Sequence, residues 1–167
     1  MSTNSLLGII NYPNESRGND YLFRVALKAV VMNKDNHILV VKETGRDWWD
    51  VPGGGIDHGE SIKEGLSREL NEEVGYVGNF QYEPLEVSEP RILADRHMYQ
   101  IRITFLVRPI NVNFQPGEDG DEVQFVDPET FNNSDLRTEQ EIYRYSQLAI
   151  ERLVTLMGIN EQGDTRS

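Results

Sequence analysis

Glu69, Glu72 and Glu73 stand at positions i, i+3 and i+4 of one stretch, the spacing that lays three carboxylates along one face of a helix. Neighbouring carboxylates about 5.5 Å apart repel by about 3 kcal/mol per pair at an effective dielectric near 20. Their place near a helix C-terminus adds the opposing macrodipole. Something positive must share that space. Arg68 neutralises part of the cluster, with Glu60 as its further partner, and oxygen-only donors grouped in this way suit Mg²⁺ or Mn²⁺. An arbitrary E-x-x-E-E is more often a solvated acidic face; only the full string around it, taken up below, argues against that here. Pro52 fixes φ, and Gly53, Gly54 and Gly55 let a backbone or a ligand approach closely, so a shaped loop feeds the helix.

The helix itself reads as Ser61 to Val74. A Ser61-x-x-Glu64 capping box opens it and Gly75 closes it. Ile62, Leu66, Leu70 and Val74 recur every four residues and pack inward, which leaves the glutamates at the edge of a cleft. Upstream, Phe23, Val25, Leu27, Ala29 and Val31 share one face of a strand between Leu22 and Met32. Asn33 to Asn36 gives a turn, and His37 to Val41 is a buried second strand of a hairpin. Downstream, Tyr99, Ile101, Ile103, Phe105 and Val107 form one strand face, with Gln100, Arg102, Thr104 and Arg108 on the other. Val123 to Val126 is a shorter strand. A second helix, roughly Thr138 to Met157, opens with Thr138-x-x-Glu141 and closes at Gly158. Its stripe of Ile142, Tyr145, Ala149, Leu153 and Leu156 lies on a sheet. These elements make a layered α/β domain over 21–158, between a partly loose N-terminal segment, 1–20, and a polar tail, 159–167.

The 167 residues include 38% hydrophobic ones, enough for one core and a cleft. Sixteen Lys and Arg against 28 Asp and Glu leave a net charge of −12. That surplus repels phosphate backbones, so no DNA partner is expected, and a small anionic ligand needs a metal mediator. The absence of cysteine excludes disulfides, thiolate zinc sites and a Cys nucleophile, and fits a cytoplasmic location. No apolar run approaches the roughly 20 residues of a membrane span, and Leu6 to Ile10 lacks the basic flank of a signal peptide. The sequons at Asn14 and Asn132 therefore read as accidental. No G-x-x-x-x-G-K-[ST] occurs, and the glycines do not form G-x-G-x-x-G after a strand. His37, His58 and His97 are scattered without ligand spacing.

The full string Gly54-x5-Glu60-x7-Arg68-Glu69-Leu70-x-Glu72-Glu73-x-Gly75-Tyr76, with Trp49-x-x-Pro-Gly-Gly before it, closely resembles the Nudix box of the Nudix hydrolase family. Tyr76 stands where that family usually has an aliphatic residue, a packing adjustment. The resemblance implies an α/β/α sandwich with a mixed β-sheet. It also implies a metal-dependent pyrophosphohydrolase that cleaves a nucleoside diphosphate linked to another moiety, by water attack at phosphorus. By that likeness Glu69, Glu72 and Glu73 hold Mg²⁺ or Mn²⁺ with a backbone carbonyl from Gly53 or Gly54, while Glu60 and Arg68 brace loop and helix.

One carboxylate takes the water's proton: Glu69 is the first candidate, then Glu72 and Glu73, with Glu118 and Glu122 of the acidic turn Gly117 to Glu122 as accessory acids. Lys42, Arg46 and Trp49, with Trp48 beside it, are the candidates for contact with phosphate or base. Substrate markers that subfamilies place after the box do not decide among nucleotides: Pro90 lies only close to one such position, Leu93 and Ala94 occupy another, and Gly55 replaces a lysine. A catalytically idle nucleotide-binding regulatory domain and an RNA-end pyrophosphohydrolase are the other readings. Sheet edges leave a homodimer open.

Overall fold

The computed structural model describes residues 9–11, 19–93 and 97–163, with side chains over 21–93 and 97–158. The Asn14 sequon, Ala94 and the end of the polar tail lie outside the described residues. The strands are β1 Ile9–Asn11, β2 Asn19–Tyr21, β3 Phe23–Val30, β4 Ile38–Glu43, β5 Phe80–Val87, β6 Arg91–Leu93, β7 Met98–Pro109 and β8 Gly120–Val126. The helices are α1 Ile62–Val74 and α2 Arg137–Gly163, with a 3₁₀ turn at Pro128–Phe131.

The turn after β3 forms as its sequence demands. Asn33 Oδ1 accepts from the backbone N–H groups of Asp35 and His37, both at 2.9 Å. The expected hairpin, however, survives only at its root, in the bridge between Met32 and Ile38. Beyond it the strands part. β3 pairs in parallel with β7 from Phe23↔Tyr99 to Val30↔Leu106, and β4 pairs antiparallel with β8. The far edge of β3 is already taken by the glycine loop: Leu27 N–H donates to Gly54 O and Ala29 N–H to Pro52 O, both at 2.8 Å. The loop thus runs as an extra strand along β3. On its other edge β7 carries β5 and β6, both antiparallel, so the sheet is mixed.

Side-chain alternation then sorts the core into two layers. Leu27, Ala29, Val31, Leu39, Val41, Phe105 and Val107 pack on one face with Leu66, Leu70 and Val74 of α1. Val30, Ile38, Val40, Val51 and Leu106 pack on the other with Ile142, Tyr145 and Ala149 of α2. The result is the α/β/α sandwich that the box implied. Tyr76 fits by packing and bonding at once: it is buried, stacks on Phe114 with ring centroids 5.3 Å apart, and donates its hydroxyl hydrogen to Asn79 O at 2.7 Å.

α1 has both halves of its expected capping box and ends at Gly75 with φ 60°. The box expected at Thr138 and Glu141 does not form. α2 begins at Arg137 and runs through Gly158 to Gly163, and the Glu141 carboxylate is taken instead by Arg102 of β7, a largely buried guanidinium that needs a counter-charge. Among the described residues no helix is long and apolar enough to cross a membrane.

Candidate active site

The glycine loop brings α1 and the sheet within reach of each other. Gly53 has φ 137°, and a Cβ there would lie 2.1 Å from Leu27 O. A Cβ on Gly54 would lie 2.6 Å from Glu69 Oε1. With no side chains in the way, the helix carboxylates close directly onto loop backbone, and Gly53 N–H donates to Glu73 Oε2 at 3.0 Å.

Arg68 ties the acidic face together. Its Nε donates to Glu60 Oε1 and its Nη1 to Glu69 Oε1, both at 2.7 Å. Nη1 also reaches Glu72 Oε2 at 3.1 Å, and Nη2 donates to Gly55 O at 3.0 Å. Hydrogen bonding to Arg68 holds the Glu60 carboxyl down at about 2. Burial acts the other way on the glutamates beyond: it raises Glu69, against the pull of Arg68, and pushes Glu73 up to about 8, against the pull of Lys28. The Lys28 ammonium, 5% exposed, donates to Asp50 at 2.7 Å and to the carbonyls of Val51 and Gly53 at 3.0 and 3.1 Å. Burial alone would lower it; Asp50 and Glu73 outweigh that and hold it above its ordinary value.

Glu69, Glu72 and Glu73 share one wall of a cavity of about 600 Å³ with Gly53, Gly54 and Gly55. Glu43 and Asp119 join the acidic side. Arg24 of β3, Arg91 of β6 and Arg102 of β7 line the same cavity. With Lys28, Arg46 and Asp50 also on its lining, the cavity brings carboxylates and cationic side chains together, a combination that suits a metal-bridged polyphosphate.

Sequence reasoning placed several residues differently. Lys42, expected at the cleft, faces away from it: the pleat of β4 sends Glu43 inward, and Lys42 pairs with Glu122 at 2.9 Å and sits 4.6 Å from the Trp49 ring. Trp49 packs against the α2-side core. Arg46 does line the cavity, paired with Glu43 at 2.7 Å and lying over Trp48. The Gly54 carbonyl accepts from Leu27 N–H at 2.8 Å and the Gly53 carbonyl from the Lys28 ammonium at 3.1 Å. The acidic turn reaches the cavity through Asp119, while Glu118 and Glu122 do not line it. Its geometry is set by the end of α1, whose Glu72 and Glu73 carbonyls accept from Asp119 N–H at 2.8 Å and Gly117 N–H at 3.2 Å. Arg24, Arg91, Arg102, Glu43 and Asp119 were missed. The one signal for Arg24 and Arg102 was their place on the polar faces of two otherwise apolar strands.

The donor set fits a hard divalent cation: carboxylates and a backbone carbonyl, with no sulfur and no histidine among them. Glu69 and Glu73 are 8% and 5% exposed, so their charged forms are costly there unless a cation compensates them. Among the described residues no three acidic or histidine side chains yet converge on one point, because Arg68 draws Glu69 and Glu72 to itself and Gly53 N–H holds Glu73. Binding a cation there means exchanging part of the Arg68 contact.

Residues 22–147 match the family model of the NUDIX domain. An ADP-ribose pyrophosphatase of Methanocaldococcus jannaschii is 29% identical over 110 residues, 64% of this chain and 64% of that protein. An RNA pyrophosphohydrolase of Ruthia magnifica is 43% identical over 53 residues, 32% of this chain and 30% of that protein. The chain thus spans less than two thirds of the length of these curated relatives. Among solved structures, the MutT protein of Methanosarcina mazei superposes with a TM-score of 0.61 at 19% identity, over 75% of this chain and 93% of that one. The NUDIX domain of Shewanella oneidensis NrtR, complexed with ADP ribose, gives 0.62 at 18% identity, over 80% and 90%. The domain match covers most of the chain and includes the glycine loop, the braced glutamate helix and the sheet they close upon; this chain belongs to the NUDIX family.

Proposed function

We propose that this chain is a metal-dependent pyrophosphohydrolase, acting in the cytoplasm on a nucleoside diphosphate linked to another moiety. One observation carries the reading: Glu69, Glu72 and Glu73 of one helix and three arginines, Arg24, Arg91 and Arg102, line one cavity. In a chain of net charge −12, guanidiniums gathered at one cavity give a pyrophosphate a local attraction that the overall charge opposes.

Glu69, Glu72, Glu73 and Gly53 O would hold Mg²⁺ or Mn²⁺. When bound, the ion neutralises phosphoryl oxygens and lowers the pKa of water. Arg24, Arg91 and Arg102 bind and orient the phosphate oxygens, with the fork geometry that suits them. Glu69, whose affinity for a proton burial raises, takes the proton of the attacking water as the phosphorus–oxygen bond of the leaving phosphate breaks. Asp119 faces the same space and is the accessory acid. Glu60 and Arg68 keep loop and helix in register.

The similarities to an ADP-ribose pyrophosphatase and an RNA pyrophosphohydrolase support the reaction class and leave the nucleotide open. A panel of nucleoside triphosphates, oxidised purine nucleotides, ADP-ribose, nucleotide sugars and dinucleoside polyphosphates, assayed with Mg²⁺, Mn²⁺ and chelator, tests it. Metal-dependent release of a nucleoside monophosphate or of phosphate is the expected result. Binding of these nucleotides without turnover would favour an idle regulatory domain instead.

A further inference from the structure

Arg91 and Arg102 line a second cavity as well, about 500 Å³ in volume, whose remaining cations are Arg137 and Arg144 of α2. Four guanidiniums face the three carboxylates of Glu86, Glu89 and Glu141 there, a local positive excess in a strongly acidic chain. Three of the four crowd a single carboxylate: Glu141 is met by Arg102, by Arg137 at 3.4 Å and by Arg91 at 3.8 Å. Each guanidinium carries five N–H donors, and one carboxylate offers about four lone-pair sites, so donors far outnumber acceptors. Arg144 is paired with Glu86 and its guanidinium lies 4.8 Å from the Tyr145 ring. Among the described residues Arg102 makes its side-chain hydrogen bonds through Nη1 alone, to Glu141 and to Tyr145 Oη, and its buried Nε has no partner.

A cluster so rich in planar donors lacks an anion, and phosphate is the anion whose geometry it matches. Arg91 and Arg102 also line the metal-facing cavity, so the two cavities adjoin. We infer that this second cavity is a subsite for a further phosphate group of the substrate, separate from the scissile diphosphate. The inference rests on the hydrolase reading and narrows it: the preferred substrate carries a non-scissile phosphate, on the nucleoside or on the other moiety.

Three pairs of compounds that differ by one phosphate test this: NADPH against NADH, coenzyme A against its dephospho form, and ADP-ribose 1″-phosphate against ADP-ribose. The first two place the extra phosphate on the nucleoside and the third on the far moiety, so they locate its source. Calorimetric binding to the full chain with chelator present reads the subsite without turnover; kcat/KM with Mg²⁺ reads it in the reaction. In at least one pair the phosphorylated member is expected to bind about tenfold more tightly, and Arg137→Gln and Arg144→Gln to bring that ratio close to one. Both residues lie on α2 outside the metal-facing cavity, so binding of the unphosphorylated member stays unchanged. Arg137 is largely exposed, which keeps its variant safe for folding. A ratio near one in the unmodified protein for all three pairs, or an equal loss for both members in the variants, overturns the inference. A phosphate preference in binding with no metal-dependent turnover keeps the subsite and overturns the hydrolase reading alone.

Discussion

Glu73→Gln separates what the Glu73 carboxylate costs the fold from what it contributes to the site. The carboxyl is 5% exposed and burial pushes it up to about 8, from an ordinary value of 4.5. Between those values the folded chain keeps a proton that the unfolded chain has lost. Stability of the metal-free protein therefore falls as pH rises through that window, by at most about 5 kcal/mol at 1.36 kcal/mol per pH unit. Glutamine keeps an oxygen for Gly53 N–H, which Glu73 now accepts at 3.0 Å, and carries no charge to bury. Urea denaturation with chelator at pH 4.5 and 8.5 should show the variant gaining on the parent at the higher pH by a few kcal/mol. Mg²⁺ at about 100 times its Kd should then stabilise the parent by about 2.7 kcal/mol and the variant much less. Turnover should fall by at least about 100-fold. Parallel pH profiles for the two proteins, or equal stabilisation by Mg²⁺, would refute the reasoning.

Other residues give simpler tests. Gly53→Ala should lower stability to urea by about 3 kcal/mol or more, because its Cβ would meet Leu27 O at 2.1 Å in a positive-φ backbone; an unchanged midpoint would contradict the close approach. Asp119→Asn should reduce kcat by at least about tenfold while Glu118→Gln leaves it unchanged, and equal effects would remove Asp119 from the cavity wall. Glu60, held at about 2 by Arg68, adds stability that is fully present above pH 4.5 and lost as pH falls towards 2. In Glu60→Gln that acid-side loss should be smaller than in the parent, read from thermal melts between pH 5 and 2.

The glutamate helix was legible because its signals are local. The Ser61–Glu64 box, the left-handed Gly75 and the four-residue recurrence of Leu66, Leu70 and Val74 all lie within the helix or at its ends. The arginines of the cavity were not, because they come together only once β3 pairs in parallel with β7 and β6 adds to the same strand. Arg24 and Arg102 then read as polar residues on half-buried strands. β5 escaped notice since Pro84 and a register shift before Glu86 interrupt its alternation. Of the acidic turn, charge alone could not distinguish Glu118, Asp119 and Glu122; hydrogen bonds from the turn to the last carbonyls of α1 decide which one faces the cavity. Lys42 and Glu43 show the smallest version of the same difficulty, one residue of strand phase.

Glu69, Glu72 and Glu73 together are expected to hold a divalent cation at the cavity wall. Titration of the full chain with Mn²⁺, followed by loss of the free-ion electron paramagnetic resonance signal, measures this without any substrate. Saturable binding that Mg²⁺ competes away, and that each of Glu69→Gln, Glu72→Gln and Glu73→Gln weakens, is the predicted result. Undiminished free Mn²⁺ across the titration, or binding that all three variants retain in full, would mean that these glutamates hold no cation.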